Sequence, residues 1–223
     1  MIRRELLGTA RVPGGETLEL YRHDRDFMIV MGNNELMSTR KQGSEEALAT
    51  MSFERLGPAG GQRHFLIGGY GMGFTLRAAL RVLPADALVT VVELVPEVIE
   101  WARGPMADVM AGCLDDPRVT LIEADVGQFI SGAEGEYDAI LLDVDNGPDG
   151  LVRAENDGLY SKHGLREARR ALVDGGILAI WSAAPDPAFT RRLERARFSV
   201  EERRVAARSN GKGAKHVIWF AQR

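Results

Sequence analysis

The residues best equipped for chemistry are a glycine-rich turn and a set of carboxylates that recur at the ends of apolar runs. His64-Phe65-Leu66-Ile67-Gly68-Gly69-Tyr70-Gly71-Met72-Gly73-Phe74-Thr75-Leu76 reads as a buried strand entering a helix through glycines, with Leu76, Ala79, Leu80 and Leu83 at helical spacing. Glycines permit positive φ and let a ligand approach with no Cβ in the way, while a helix start offers unpaired N–H groups. Gly69, Gly71 and Gly73 are therefore assigned to ligand binding. The next apolar run, Leu88-Val89-Thr90-Val91-Val92, ends at Glu93, where a carboxylate can accept both hydroxyl hydrogens of a ribose. Two later runs end in Glu123-Ala124-Asp125 and in Asp143-Val144-Asp145. Open α/β sheets bind ligands at the carboxyl edge of their strands, so topology gathers Glu93, Asp125, Asp143 and Asp145 at one crevice. Glu93 is assigned to the ribose, Asp125 to an exocyclic amine of a base and Asp143 to a cationic or amine end of the ligand. A negative, partly dry pocket suits a sulfonium cation, because opposite charges attract more strongly at low dielectric. The dinucleotide fingerprint fails: counted from Gly69 its third glycine falls on Phe74, and counted from Gly71 on Leu76. A nicotinamide dehydrogenase is accordingly the last choice.

These residues need a framework, and the order of elements supplies one. Up to about residue 40 the chain reads as short strands of an antiparallel meander, with turns at Pro13-Gly14-Gly15 and Gly32-Asn33-Asn34. Ser44-Glu45-Glu46 starts a helix, Ser44 as its cap and the acids favoured by the helix dipole. Its stripe of Ala47, Leu48 and Met51 is interrupted by Arg55, and Gly57-Pro58-Ala59-Gly60-Gly61 reads as a linker. The division expected is 1–57, a β-strand unit plus linking helix, and 62–223, a Rossmann-like nucleoside-binding domain. From His64 strands and helices alternate, which predicts a mostly parallel sheet covered on both faces. Pro96 opens a helix running towards Met110, a helix over Lys162–Val173 precedes the strand Ile177–Trp181, and Phe198–Val200 with His216–Phe220 reads as a closing antiparallel pair.

Composition narrows the partners. The net charge of −4 gives no long-range attraction to phosphate backbones or anionic lipid, so neither nucleic acid nor membrane is expected as a partner. The single cysteine, Cys113, excludes an internal disulfide and a thiolate metal cluster, and no metal is expected. No apolar run approaches the roughly eighteen residues of a membrane span, and a cytoplasmic location is expected.

The glycine turn, Val92-Glu93-Leu94, Glu123-Ala124-Asp125, Tyr137-Asp138-Ala139-Ile140-Leu141-Leu142-Asp143 and Leu159-Tyr160-Ser161-Lys162 together resemble spermidine synthase and its relatives, polyamine aminopropyltransferases within the methyltransferase fold that uses S-adenosylmethionine. The front of the chain, a β-rich unit followed by Leu36-Met37-Ser38-Thr39-Arg40 and an acidic helix, is similar to that family's small first domain. The resemblance implies an α/β, Rossmann-like methyltransferase-type sheet, mostly parallel with an antiparallel last strand, behind a small N-terminal β-rich unit. It also implies a possible homodimer. The family's glycine turn carries an Asp facing the donor's amine, which is absent here, and Asn146 stands at the spacing of the second acid of the family's Asp-Ser-Ser/Thr-Asp-Pro loop. Ser44-Glu45-Glu46 stands in place of the family's Tyr-His-Glu run. An acid in the turn would repel the carboxylate of intact S-adenosylmethionine, so its loss leads us to expect methyl transfer from that donor to a small amine or metabolite acceptor. The alternatives are aminopropyl transfer from decarboxylated S-adenosylmethionine, and nucleoside binding without catalysis. Asp143 or Asp145 is the candidate proton acceptor, and Tyr160 the candidate for lining the acceptor pocket.

Overall fold

The computed structural model describes residues 4–15, 17–57, 61–144 and 156–223; residues 58–60 of the linker lie outside it. Four strands, β1 (Glu5–Arg11), β2 (Thr17–His23), β3 (Asp26–Met31) and β4 (Asn34–Ser38), pair antiparallel in sequential order, as the alternation and turns predict. Helix α1 (Gly43–Arg55) follows. Ser44 is not its cap: it lies inside the first turn, buried, with its hydroxyl 2.8 Å from His216 Nδ1. Arg55, which interrupts the apolar stripe, is an anchor. Its Nε donates to Glu201 Oε2 at 2.8 Å, and its guanidinium lies 4.0 Å from the centroid of the Phe220 ring.

The main body then runs β5 (His64–Gly68), α2 (Phe74–Val82), β6 (Leu88–Glu93), α3 (Pro96–Arg103), α4 (Ala107–Met110), β7 (Val119–Glu123), α5 (Val126–Ser131), β8 (Tyr137–Leu142), α6 (Asn156–Leu159), α7 (Lys162–Ala171), β9 (Leu172–Ser182), α8 (Pro187–Arg195), β10 (Ser199–Ala206) and β11 (Lys215–Gln222). The helix expected to run on to Met110 breaks between α3 and α4, because Pro105 forces Gly104 out of helical geometry. The seven strands lie in the order β10-β11-β9-β8-β5-β6-β7. β5 to β9 are parallel, β11 is antiparallel to β9, and β10 is antiparallel to β11.

Period-two alternation puts successive side chains into two cores. Phe65, Ile67, Ala139 and Leu141 join α1, α2, α3 and the N-terminal sheet on one face. Leu66, Ile140, Leu142 and Ile180 join α5, α7 and α8 on the other. Burial on both faces explains why these strands read as unbroken apolar runs. Among the described residues no helix is long and apolar enough to cross a membrane.

At the amino end of β5, the edge of the sheet opposite the carboxylates, Arg63 and Asp138 form an ion pair at 2.6 Å with side chains only 11% and 15% exposed. The second oxygen of Asp138 accepts the His64 N–H at 2.8 Å. Removing one partner of such a pair leaves the other charge uncompensated. Asp138→Ala is expected to lower the unfolding free energy by about 3 kcal/mol in urea titration, while leaving ligand affinity of the folded protein unchanged.

Candidate active site

The strand order reverses beside β5: the chain steps outward to β6 and β7, then returns to lay β8 on the other side. Loops from neighbouring strand ends diverge there and leave a crevice. The glycine turn is tied down on both sides. The Gly69 N–H donates to the Val92 carbonyl at 2.9 Å, and the Asp143 N–H donates to the Gly68 carbonyl at 3.0 Å. Gly69 has φ +83°, and a Cβ on it would stand 2.5 Å from the Asp143 carbonyl oxygen; a Cβ on Gly71, at φ +54°, would stand 2.9 Å from Met37 Sδ. Any side chain at Gly69 would therefore push the turn off the end of β8.

Gly69, Gly71, Glu93, Asp125 and Asp143 all line one cavity of about 970 Å³, its open mouth included. Leu18, Ile29 and Met37 of the N-terminal sheet line it too, so that sheet supplies a wall of the site. Two residues assigned to the site stand elsewhere. Gly73 lies behind the turn against Tyr70 and Met110, and Tyr160 is buried in the core with its ring edge-on to Phe189. Asp145 and Asn146 fall outside the described residues.

Glu93 is buried, and its carboxylate is held by backbone: Oε2 accepts the Tyr70 N–H at 2.8 Å and Oε1 the Val95 N–H at 2.9 Å. Burial pushes its pKa up, and these N–H groups pull it back. The Leu94 and Gly71 N–H groups also face this carboxylate. Asp125 caps α5, its Oδ1 accepting the Gln128 N–H at 3.0 Å, and faces the cavity at the same time. Asp143 Oδ2 accepts the Thr75 hydroxyl at 3.1 Å, and burial pushes its carboxyl up to about 6.

The residue missed by reading the sequence is Glu45. It enters the cavity from the first turn of α1, and its Oε2 is shielded from solvent and has no hydrogen-bond partner. Burial first, then the charges of Asp143 and Glu46, hold its carboxyl well above the usual carboxylate range. The signal was present in the spacing: Glu45, Leu48, Ala49 and Ser52 share the inward face of α1. Trp181, at the end of β9, also lines the cavity, with a buried indole N–H that lacks a partner. Among the described residues no three His, Cys, Asp or Glu side chains are grouped to hold a metal ion.

A carboxyl with a native pKa above its unfolded value binds protons in the folded state that the unfolded chain does not, so its ionisation costs stability as pH rises. For Asp143 that window runs from about 4 to about 6. Burial lowers the pKa of His64 and His216, which acts in the opposite sense, so a variant is needed to isolate the carboxyl. Asp143→Asn is expected to melt a few degrees above the parent at pH 7.5, with the gap closing by pH 5. Scanning calorimetry without ligand checks this, and a gap independent of pH would refute it.

The Spermine/spermidine synthase domain matches residues 45–192. A polyamine aminopropyltransferase of Mycobacterium tuberculosis (strain H37Rv) is 37% identical over 128 residues, covering 56% of this chain and 24% of the relative. One from Korarchaeum cryptofilum is 33% identical over 121 residues, covering 54% of this chain and 35% of the relative. The chain thus spans about a quarter to a third of the length of these relatives. In fold it is similar to the spermidine synthase of Thermotoga maritima, with a TM-score of 0.76 and 19% identity over 97% of this chain and 72% of that one. A spermidine synthase in complex with the transition state analogue AdoDATO gives 0.75 and 18% over the same shares. These relatives overturn the expectation of methyl transfer from intact S-adenosylmethionine, because they are aminopropyltransferases. That expectation rested on a glycine turn without an acid, and Glu45 brings a carboxylate into the same cavity from α1. With the match running from Glu45 through the glycine turn and all four site carboxylates, over well more than half of the chain, the chain belongs to the spermine/spermidine synthase family.

Proposed function

We propose that this chain is an aminopropyltransferase, moving the aminopropyl group of decarboxylated S-adenosylmethionine onto an amine of the polyamine class. The observation that carries this reading is one cavity lined by Glu93 and Asp125, which would take the nucleoside, and by the carboxylates of Asp143 and Glu45, where a cation would sit. Membership of the family supports the same chemistry.

In that reaction the acceptor nitrogen uses its lone pair to attack the methylene carbon bound to the sulfonium. The C–N bond forms, the C–S bond breaks with its electron pair going to sulfur, and the nitrogen then loses a proton. The leaving group is 5′-methylthioadenosine, a neutral thioether. Glu93 orients the donor through its ribose. Asp143 is the proton acceptor of this reading, since its raised pKa brings it nearer the operating pH. The apolar walls from the N-terminal sheet and Trp181 exclude water from the sulfonium and keep the carboxylates effective. Most of the acceleration then comes from alignment of nitrogen and carbon.

The purified chain, given decarboxylated S-adenosylmethionine and a panel of diamines and triamines, is expected to release 5′-methylthioadenosine and yield an amine heavier by one aminopropyl group in mass spectrometry. Absence of that product across the panel would overturn the reading. Asp143→Asn should lower turnover by about 10²-fold or more. Glu93→Gln should weaken 5′-methylthioadenosine binding by about 10-fold or more, the value of a hydrogen bond to a charged group.

A further inference from the structure

Two adjacent acids begin α1, and the structure treats them in opposite ways. Glu46 faces outward, where Arg81 donates to its Oε1 at 2.9 Å and the Ser209 hydroxyl to its Oε2 at 3.2 Å. Glu45 faces the cavity with Oε2 shielded and unpartnered. Leaving a buried carboxylate oxygen without a donor is costly, and such orphans in folded proteins call for an explanation. Thr75 locks the arrangement: its hydroxyl lies 3.3 Å from the Glu45 carbonyl oxygen and 3.1 Å from Asp143 Oδ2, so the start of α1 and the end of β8 meet at one point. The described lining includes four carboxylates, those of Glu45, Glu93, Asp125 and Asp143, and no Lys, Arg or His. A carboxylate on a ligand would find no counter-charge there, whereas an ammonium would find two acids.

We propose that Glu45 is the residue by which this chain selects its donor: it holds the donor's primary ammonium, leaving Asp143 beside it for the acceptor nitrogen, and turns away a donor that also carries an α-carboxylate. The inference rests on the aminopropyltransferase reading and adds to it the residue that sets the choice between decarboxylated and intact S-adenosylmethionine. Glu45 does from α1 what an acid in the glycine turn would do, since that turn, Gly68 to Gly73, holds none. Selection of this kind works by repulsion as much as by attraction. Ionised Glu45 faces like charges on Asp143 and Glu46, so the arriving ammonium relieves a repulsion already present in the empty site.

The test is calorimetric titration of the whole chain with decarboxylated S-adenosylmethionine, intact S-adenosylmethionine and 5′-methylthioadenosine. The parent should prefer the decarboxylated donor to the intact one by tenfold or more. Glu45→Gln, and independently Glu45→Leu, should shrink that preference at least tenfold while leaving 5′-methylthioadenosine affinity unchanged, which also reports that the site is folded. Glu45→Asp, which keeps the charge, should retain most of the preference, and so should Glu46→Gln. If both neutral variants keep the parent's preference, Glu45 is not the selector, while the aminopropyltransferase reading stands on its product. If the parent has no preference, selection by Glu45 is refuted, and an absent aminopropyl product would mark the failure of the underlying reading as well.

Discussion

Everything at the site depends on how closely β5 and β8 approach at their carboxyl ends. The turn after β5 passes so near the Asp143 carbonyl that Gly69 has no room for a side chain, and the same residue is tied by its N–H to β6. This one contact fixes the position of Asp143 relative to the turn and of the turn relative to Glu93. The parallel pairing of β5 with β6 and β8 extends that register into the sheet, where Leu66, Ile67, Ile140 and Leu141 are fully buried. The precision of the cavity's floor is thus a property of the core beneath it, a rigid sheet that positions the turns at its edge.

Charge is the second constraint, and it opposes the first. Packing draws Glu45 and Asp143 into a partly dry cavity walled by Leu18, Ile29, Met37 and Trp181, where ionised carboxylates are least stable. The raised pKa values of both acids express that conflict. Glu93, also buried and also raised, has part of that penalty offset by backbone N–H groups that donate to its oxygens. Three of the cavity's four acids therefore differ in kind: Glu93 is held by backbone N–H groups, Asp143 by the Thr75 hydroxyl, and Glu45 keeps a shielded oxygen with no hydrogen-bond partner.

Much of this was legible in the sequence, for identifiable reasons. Strand ends carry acids in register, and topology alone collects them, so Glu93, Asp125 and Asp143 could be placed together without coordinates. Alternation and turns gave the N-terminal meander, and Pro96 marked the start of α3. Other features needed three dimensions. Ser44 looked like a cap because caps are serines, but its hydroxyl was taken by His216 on a strand far along the chain. Arg55 looked like a flaw in a stripe, and nothing local could reveal Glu201 and Phe220 beside it. Locally Glu45 reads as a dipole partner, whereas its place on the inward face of α1 matters more. The resemblance draws Tyr160 to the site, whereas its ring is buried edge-on against Phe189.

The fastening of α1 has a bearing on how the molecule assembles. The residues that secure its first turn are the Ala207 carbonyl, which accepts the Gly43 N–H, and His216, paired with Ser44 across a sequence separation of 172 residues. Both lie beyond the span matched by the family domain, which ends at residue 192. Contacts of such long range carry a large loop-closure cost, since most of the chain must be ordered to bring their ends together. The wall that Glu45 adds to the cavity is in this sense held from outside it, by a hairpin that is absent from the cavity's described lining.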